Sequence, residues 1–538
     1  MANDMPVAKH HYLPETISRM KKRTPSKILI TGASGIIGRN IIEDLCEYYY
    51  IYALARRTQQ EAGVLAHKNV QWILVDITNE SSLAHVIANI ANEGGADFVI
   101  HLAAYYDFGN LQHPEYERTN VQGTRSLLEH SKTLGIKRFI YSSSLAGCRF
   151  SSRGESVNER TPLDADYPYA VSKRKGEELL KQYSESFPCS SLRLGAVYTD
   201  WCEYGPLYMF LKTWLSSSWD ASIIGGQGES AIPYVHVNCV SRAINIVLDK
   251  SDRLPRFDTY VVSPDGSTSH QELYDLAVRL YFGEIRHPVF MPKWLAKIGV
   301  YVQYYLGCLI GKKPFVQPWM TQYIDLKLSA EASYTRQALG WEPPQRLHIL
   351  RRLLSLIENL KSSPLQWHQM NIAALEKTHL DRPNLILAEI MQHMQREICS
   401  RILRHLLSPD HTEQFRSYYE LQDPNKVMWY IEVVYNLLIT SVRNGDRYSL
   451  VNYARSLANI RSQEGFEAAE VCQALNATGD YISTALLALP ETKGMELIIH
   501  DWITLAIQLA VDEVEDSFER ITRLKKAEAG EEVPEICE

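Results

Sequence analysis

Long apolar runs, ordered cysteine spacing and a surplus of positive charge are all scarce in this chain of 538 residues. The two most apolar stretches, Val289 to Ile310 and Val427 to Val442, are broken by Lys293, Lys297 and Gln303 and by Glu432 and Asn436. Each falls short of the roughly 20 clean apolar residues that cross a bilayer, so both are expected as buried or amphipathic helices and no transmembrane segment is expected. The 9 cysteines are odd in number and scattered, with no C-x-x-C pair. That excludes a disulfide framework or a zinc site, and points to a reducing, cytoplasmic compartment. A net charge of -7 offers a polyanion no general attraction, so no nucleic-acid partner is expected. With only 28 Gly and 23 Pro the chain is neither fibrous nor disordered. Met1 to Lys27 is polar, lacks the apolar stretch of a secretory signal, and reads as a flexible lead over 1–25.

A chain this long divides into about three units of roughly 100 to 200 residues. Short β-branched runs alternate with amphipathic stretches over the first 250 residues or so, as in a parallel sheet wrapped by helices. Lys27 to Thr31, Tyr50 to Ala55, Val70 to Val75, Phe98 to Leu102 and Arg138 to Ser142 are apolar runs of strand length, the signature of a sheet buried on both faces. The expected architecture is a Rossmann-type, doubly wound α/β unit over 26–360. Its sheet occupies about 26–200 and 234–250, and a substrate cap is built from about 200–233 and 251–345. A linker follows at 361–380. Strand signals then vanish, and 381–538 reads as an all-α domain for dimerisation, partner binding or regulation, with a solvated acidic end.

The clearest chemical signal is Thr31-Gly32-Ala33-Ser34-Gly35-Ile36-Ile37-Gly38, between the first strand and the first helix. Glycines there permit a tight turn and close approach of a pyrophosphate, and the helix N-terminus offers free N–H groups. The second strand ends in Arg56-Arg57, where an acidic side chain would favour NAD. Guanidinium groups at that place suit a 2′-phosphate, so NADP is the expected cofactor with NAD possible. Asp76, before Ile77 at the end of the third strand, suits either the adenine amino group or a turn cap. His101-Leu102-Ala103-Ala104 and Tyr141-Ser142-Ser143-Ser144 close the fourth and fifth strands at the edge where ligands bind in such sheets. Tyr169 and Lys173 stand four apart on a helix, so the ammonium lies beside the phenol and favours its ionised form. Tyr169 can then pass a proton to or from a substrate oxygen while hydride moves at carbon, with the Ser144 hydroxyl holding that oxygen. A second match to the same spacing, Tyr323 to Lys327, has no such context. His393, Glu397 and His405 are too loosely spaced for a metal site, and no metal is expected.

Together with Asn120-Val121-Gln122-Gly123-Thr124 and Tyr234-Val235-His236-Val237, these motifs make residues 26 to 360 resemble the extended short-chain dehydrogenase/reductases, also called the NAD-dependent epimerase/dehydratase family. The resemblance implies catalysis by Tyr169, Lys173 and Ser144, with Ser143 the alternative third member. It also implies a contact from Lys173 to the nicotinamide ribose and support from Asn120 at the cofactor end. Two departures bear on the substrate. Members acting on nucleotide sugars carry an arginine for the substrate pyrophosphate where this chain has Ile232, between Ala231 and Pro233, and the dehydratase pattern after the catalytic serine is replaced by Leu145-Ala146. The expected activity is therefore an NADP-dependent interconversion of carbonyl and hydroxyl on a small apolar substrate. A nucleotide-sugar epimerase and a dinucleotide-sensing regulator are the alternatives. Tyr105, Tyr106, Phe108, Trp201 and Tyr204 are candidates for the pocket wall or for core packing. In the helical domain, Arg461-Ser462-Gln463-Glu464-Gly465-Phe466 resembles helical sensor modules of bacterial stress-signalling proteins.

Overall fold

The computed structural model describes residues 25–107, 112–151, 155–309, 314–376, 383–420, 423–444 and 447–528. The expectations for the N-terminal lead, for Phe108 and for most of the acidic end lie outside them. Seven parallel strands form the central sheet: β1 Lys27–Thr31, β2 Tyr50–Ala55, β3 Val70–Leu74, β4 Phe98–His101, β5 Arg138–Ser144, β6 Cys189–Leu194 and β7 Phe257–Val262. Their spatial order is β7-β6-β5-β4-β1-β2-β3. Successive residues feed opposite faces: Ile28, Ile30, Ile51, Ala53 and Ile100 pack into one core, and Leu29, Tyr52, Leu54 and Val99 into the other. Both faces are buried, which is why the strands read as continuous apolar runs. The winding reverses between β1 and β4, and in sheets of this kind the crevice for ligands opens at that point, beyond the strand carboxyl ends.

The first five strands match their sequence reading to within two residues. β6 and β7 escape it because they are not apolar runs. Cys-Ser-Ser-Leu-Arg-Leu is buried throughout as β6 because Arg193 pairs with Glu177 at 2.8 Å and Ser191 donates to the same carboxylate at 2.9 Å. β7 lies inside the stretch assigned to the cap, 251–345, yet it extends the main sheet as its edge strand.

The cap packs helices Gly205–Trp214, His270–Phe282 and Ile349–Ser362 around Leu207, Trp214, Tyr274, Leu353 and Trp367. Ser269 and Glu272 form a capping box at the start of His270–Phe282, and Gly283 ends that helix in the left-handed region, at φ 77°. The segment expected as a linker, 361–380, contains a helix, Pro364–Glu376, whose Trp367 is wholly buried in the cap. The helical unit has its own core. The long helices Pro383–Leu406, Pro424–Asn444, Tyr448–Gln463, Ala468–Leu487 and Leu505–Glu528 enclose it. Val427, Ile431, Tyr435, Leu438 and Val442 all point inward there, so the second apolar stretch is core. Among the described residues, no helix is long and apolar enough to cross a membrane. Arg461 is buried beneath Tyr430, Phe466 and Tyr418, with ring centroids 3.9, 4.4 and 4.9 Å from its guanidinium.

Candidate functional site

A cavity of about 1970 Å³ runs from the β1 turn along the sheet's carboxyl edge to the cap. At its floor, Gly32 takes φ 70°, and a Cβ there would meet the Ala103 amide at 2.7 Å. A Cβ on Gly38 would fall 2.4 Å from the Gly32 carbonyl. The two glycines are therefore required by backbone packing as well as by the turn. Helix Ile36–Leu45 starts at Gly35 with no side-chain cap, which leaves its first N–H groups facing the groove that Gly32, Ser34, Gly35, Ile36, Ile37 and Gly38 line. Arg56 and Arg57 line the same end, and Arg57 donates to the Ser34 carbonyl at 2.9 Å.

Asp76 is almost wholly buried. One of its oxygens accepts from the Thr78 amide and hydroxyl, both at 2.9 Å, and the other accepts from Arg443 Nε. Burial alone would raise this carboxyl, but the guanidinium groups of Arg443 and Arg56 and the Thr78 donors outweigh it and hold the group below the usual carboxylate range. Ile77, Leu102, Ala103 and Ala104 complete the wall.

Thr31 does not line the cavity; it works through His101. The Thr124 hydroxyl donates to the Asn120 carbonyl at 2.7 Å, so His101 Nε2 donates to Thr124 at 2.8 Å and its Nδ1 accepts from Thr31 at 2.6 Å. Burial, with Lys173 nearby, pushes the imidazole down to about 3, so it stays neutral. Asn120 lies on a π-helical turn spanning Tyr116–Gly123. It bridges both backbone polar groups of Tyr105 at 2.6 and 2.9 Å and donates to Ser172 at 2.9 Å. That links the end of β4 to the helix carrying Tyr169.

This helix, Pro168–Tyr183, begins with proline in its first turn, where no amide partner is lost. Tyr169 and Lys173 both face the cavity. The Lys173 ammonium lies 5.7 Å from the Tyr169 ring centroid and donates to the Ser142 carbonyl at 2.7 Å. Burial raises the Tyr169 phenol to about 12, against the pull of a hydrogen bond from Ser144. Burial also lowers Lys173 to about 8, which leaves most of it charged at neutral pH. Ser143 is buried, and its hydroxyl has no partner among the described residues. Gly176, not singled out in the sequence, makes the helix fit: a Cβ there would overlap the Tyr141 hydroxyl at 2.1 Å.

Beyond Tyr169 the wall turns apolar. Tyr106, whose ring lies 4.6 Å from that of Tyr169, joins Phe150, Tyr204, Phe210, Trp219 and Ile232, and helix Lys293–Leu309 adds Ile298, Val302 and Leu306. Tyr105 is instead buried against Tyr116, and Trp201 packs on the cap core. The cationic lining residues of the whole cavity, among those described, are Arg56, Arg57, Lys173 and Arg443. His236 of the Tyr-Val-His-Val motif caps helix Val237–Asp249 and contacts Asp200 at 3.2 Å, a structural role. Among the described residues no cluster of three His, Cys, Asp or Glu can hold a metal ion.

Comparison with known proteins matches residues 28–263 to the family described as NAD dependent epimerase/dehydratase. A putative UDP-glucose 4-epimerase of Methanocaldococcus jannaschii is 26% identical over 325 residues, covering 59% of this chain and 93% of that protein. The UDP-glucose 4-epimerase of Vibrio cholerae is 22% identical over 345 residues, covering 61% and 93%. The Bordetella bronchiseptica enzyme WbmG, solved in complex with NAD, shares the fold at 19% identity and a TM-score of 0.50, covering 64% of this chain and 96% of that one.

Proposed function

Starting from residues 28–263 as a domain of the NAD dependent epimerase/dehydratase family, we propose that the chain is an epimerase of a nucleotide sugar that works through a bound nicotinamide dinucleotide. The observation that carries the chemistry is the Tyr169 phenol in the cavity beside the Lys173 ammonium, 5.7 Å from ring centroid to nitrogen. The choice of epimerisation is supported by two relatives named as UDP-glucose 4-epimerases, each aligned over 93% of its length.

The residues present fit a dinucleotide. The glycine turn brings backbone close to the groove, the uncapped helix start offers N–H groups to a pyrophosphate, and the groove continues unbroken to Tyr169. A nicotinamide dinucleotide held there would supply reversible hydride transfer at a carbinol carbon, with inversion when the hydride comes back to the opposite face. Tyr169 takes the proton of the same carbinol hydroxyl once its phenol is ionised, which the charges of Lys173 and of an oxidised nicotinamide would favour against burial, and later gives it back, while Ser144 holds that oxygen. Arg56 and Arg57 favour a 2′-phosphorylated dinucleotide, which makes NADP the preferred form over NAD.

A second reading, net reduction or oxidation of an apolar substrate, is favoured by one observation. Ile232 stands where a sugar-nucleotide site would place a cation, and past Tyr169 the wall has no lysine or arginine among the described residues. One experiment separates the two. The protein is incubated with UDP-glucose and dinucleotide, sugar stereochemistry is followed by NMR, and nicotinamide absorbance is followed in parallel. An epimerase inverts the sugar with no net change in absorbance. Absence of inversion, with steady NADPH consumption on a hydrophobic ketone, replaces this reading with the second.

A further inference from the structure

We propose that the helical unit supplies part of the dinucleotide site: Arg443, held by two carboxylates, offers its remaining Nη1 donor at the adenosine end, so that docking of that unit and binding of the cofactor stabilise each other. The proposal rests on the dinucleotide reading above.

Arg443 closes helix Pro424–Asn444 and stands 367 residues from Asp76, yet its side chain is only 3% exposed, as is that of Asp76. It lines the same cavity as Gly32, Arg56 and Asp76. A guanidinium carries its donors in a rigid plane. Here Nε binds Asp76, and Nη2 donates to Glu115 at 2.5 Å. Those two atoms form one edge of the plane. Nη1, on the other side, is buried and has no partner among the described residues.

The pose is held from behind. Asn384, which also lines the cavity, donates to the carbonyls of Val442 and Arg443 at 3.3 and 3.2 Å and so satisfies the end of the Arg443 helix. Glu115 is further tied by the Thr119 hydroxyl at 2.7 Å and by Arg118 at 3.6 Å.

Ion pairing between the units explains two of the three nitrogens. It does not explain a third that is buried without an acceptor on a side chain lining the cavity, whereas the unpartnered nitrogens of Arg447 and Arg461 belong to side chains stacked on aromatic rings away from it. Nor does it require the arginine to reach the groove where Arg56, Arg57 and the start of helix Ile36–Leu45 already gather positive charge. An adenosine phosphate or ring nitrogen supplies the missing acceptor. Because both binding events use one side chain, each must strengthen the other by the same factor.

The test uses the full chain and its Arg443→Ala variant, each titrated with NADH and NADPH by nicotinamide fluorescence. Backbone hydrogen exchange is measured over 383–388 and 438–443 with and without saturating NADPH or NADH. Loss of one charge-assisted contact predicts a Kd raised about tenfold to hundredfold in the variant. In the wild type, whichever dinucleotide binds should slow exchange in both segments. A Kd raised by less than about tenfold, or lowered, overturns the proposal, and a lowered one means that Arg443 obstructs the site. If the variant does not fold, the wild-type exchange decides: slowing supports the proposal, and no change overturns it. A wild type that binds neither dinucleotide defeats the underlying site reading, whereas a wild type that binds while the variant binds equally defeats this inference alone.

Discussion

The sheet unit and the helical unit both bury arginines, and they use them differently. In the sheet, Arg138 is spent on the fold. It donates to the carbonyls of Ser251, Pro255 and Leu254 at 2.8, 3.0 and 3.2 Å and to the Ser190 hydroxyl at 3.1 Å, tying β5 to the segment before β7. In the helical unit, Arg461 sits beneath three aromatic rings, while Arg443 leaves its own unit to meet two carboxylates of the other. The proposed proton chemistry belongs to the sheet unit, and among the described residues Asn384 and Arg443 of the helical unit line the same cavity. The two units have separate hydrophobic cores, so a change can disable one and spare the other.

The sharpest break between them comes from Tyr169→Phe. A positioned acid/base is worth about a hundredfold to ten-thousandfold in rate, so hydride transfer should fall by that factor, with the affinity for NADH and the melting of both units unchanged. Single-turnover absorbance measures the first, and calorimetry measures the second. Leu438→Ala reverses the pattern. Leu438 is wholly buried in the helical core, and its truncation should cost about 2–5 kcal/mol, lowering the thermal transition of that unit alone. If the sheet unit melts earlier by the same amount, the cores are not independent.

The effect that is smallest at neutral pH is a pH slope confined to the sheet unit. His101 is held neutral, with a folded value of about 3 against an ordinary 6.5. A lowered imidazole means that the unfolded chain takes up a proton first as pH falls. Stability is thus complete above about 6.5 and declines between 6.5 and 3 by up to roughly 1.4 kcal/mol per pH unit. Acid denaturation of His101→Gln should lose that slope, while the helical unit keeps its profile.

Much of this was legible in the sequence, for identifiable reasons. β1 to β5 are apolar runs because both faces are covered, and the glycine turn, the Arg56-Arg57 pair and the Tyr169–Lys173 spacing are local patterns that need no knowledge of tertiary contacts. What stayed hidden depends on partners far along the chain. β6 looks polar until Glu177 is placed against Arg193. Gly176 has no visible purpose until Tyr141 comes within reach. Asp76 reads as an adenine contact or a turn cap; the cap is present through Thr78, and its other oxygen is taken by an arginine that nothing local announces. Thr31 stands in the glycine motif and Asn120 in a stretch that carries the family resemblance, and neither position announces the Thr31 bond to His101 or the Asn120 bridge to Tyr105.

The central claim is that the groove from the β1 turn to Tyr169 takes a nicotinamide dinucleotide. Titration of the full chain and of Gly38→Val with NADH and NADPH tests it directly, because a side chain at Gly38 collides with the Gly32 carbonyl and distorts the turn. The account predicts saturable binding, one dinucleotide per chain, that is lost in the variant while the helical unit stays folded. A wild type that binds neither dinucleotide, or a variant that binds as well as the wild type, would contradict it.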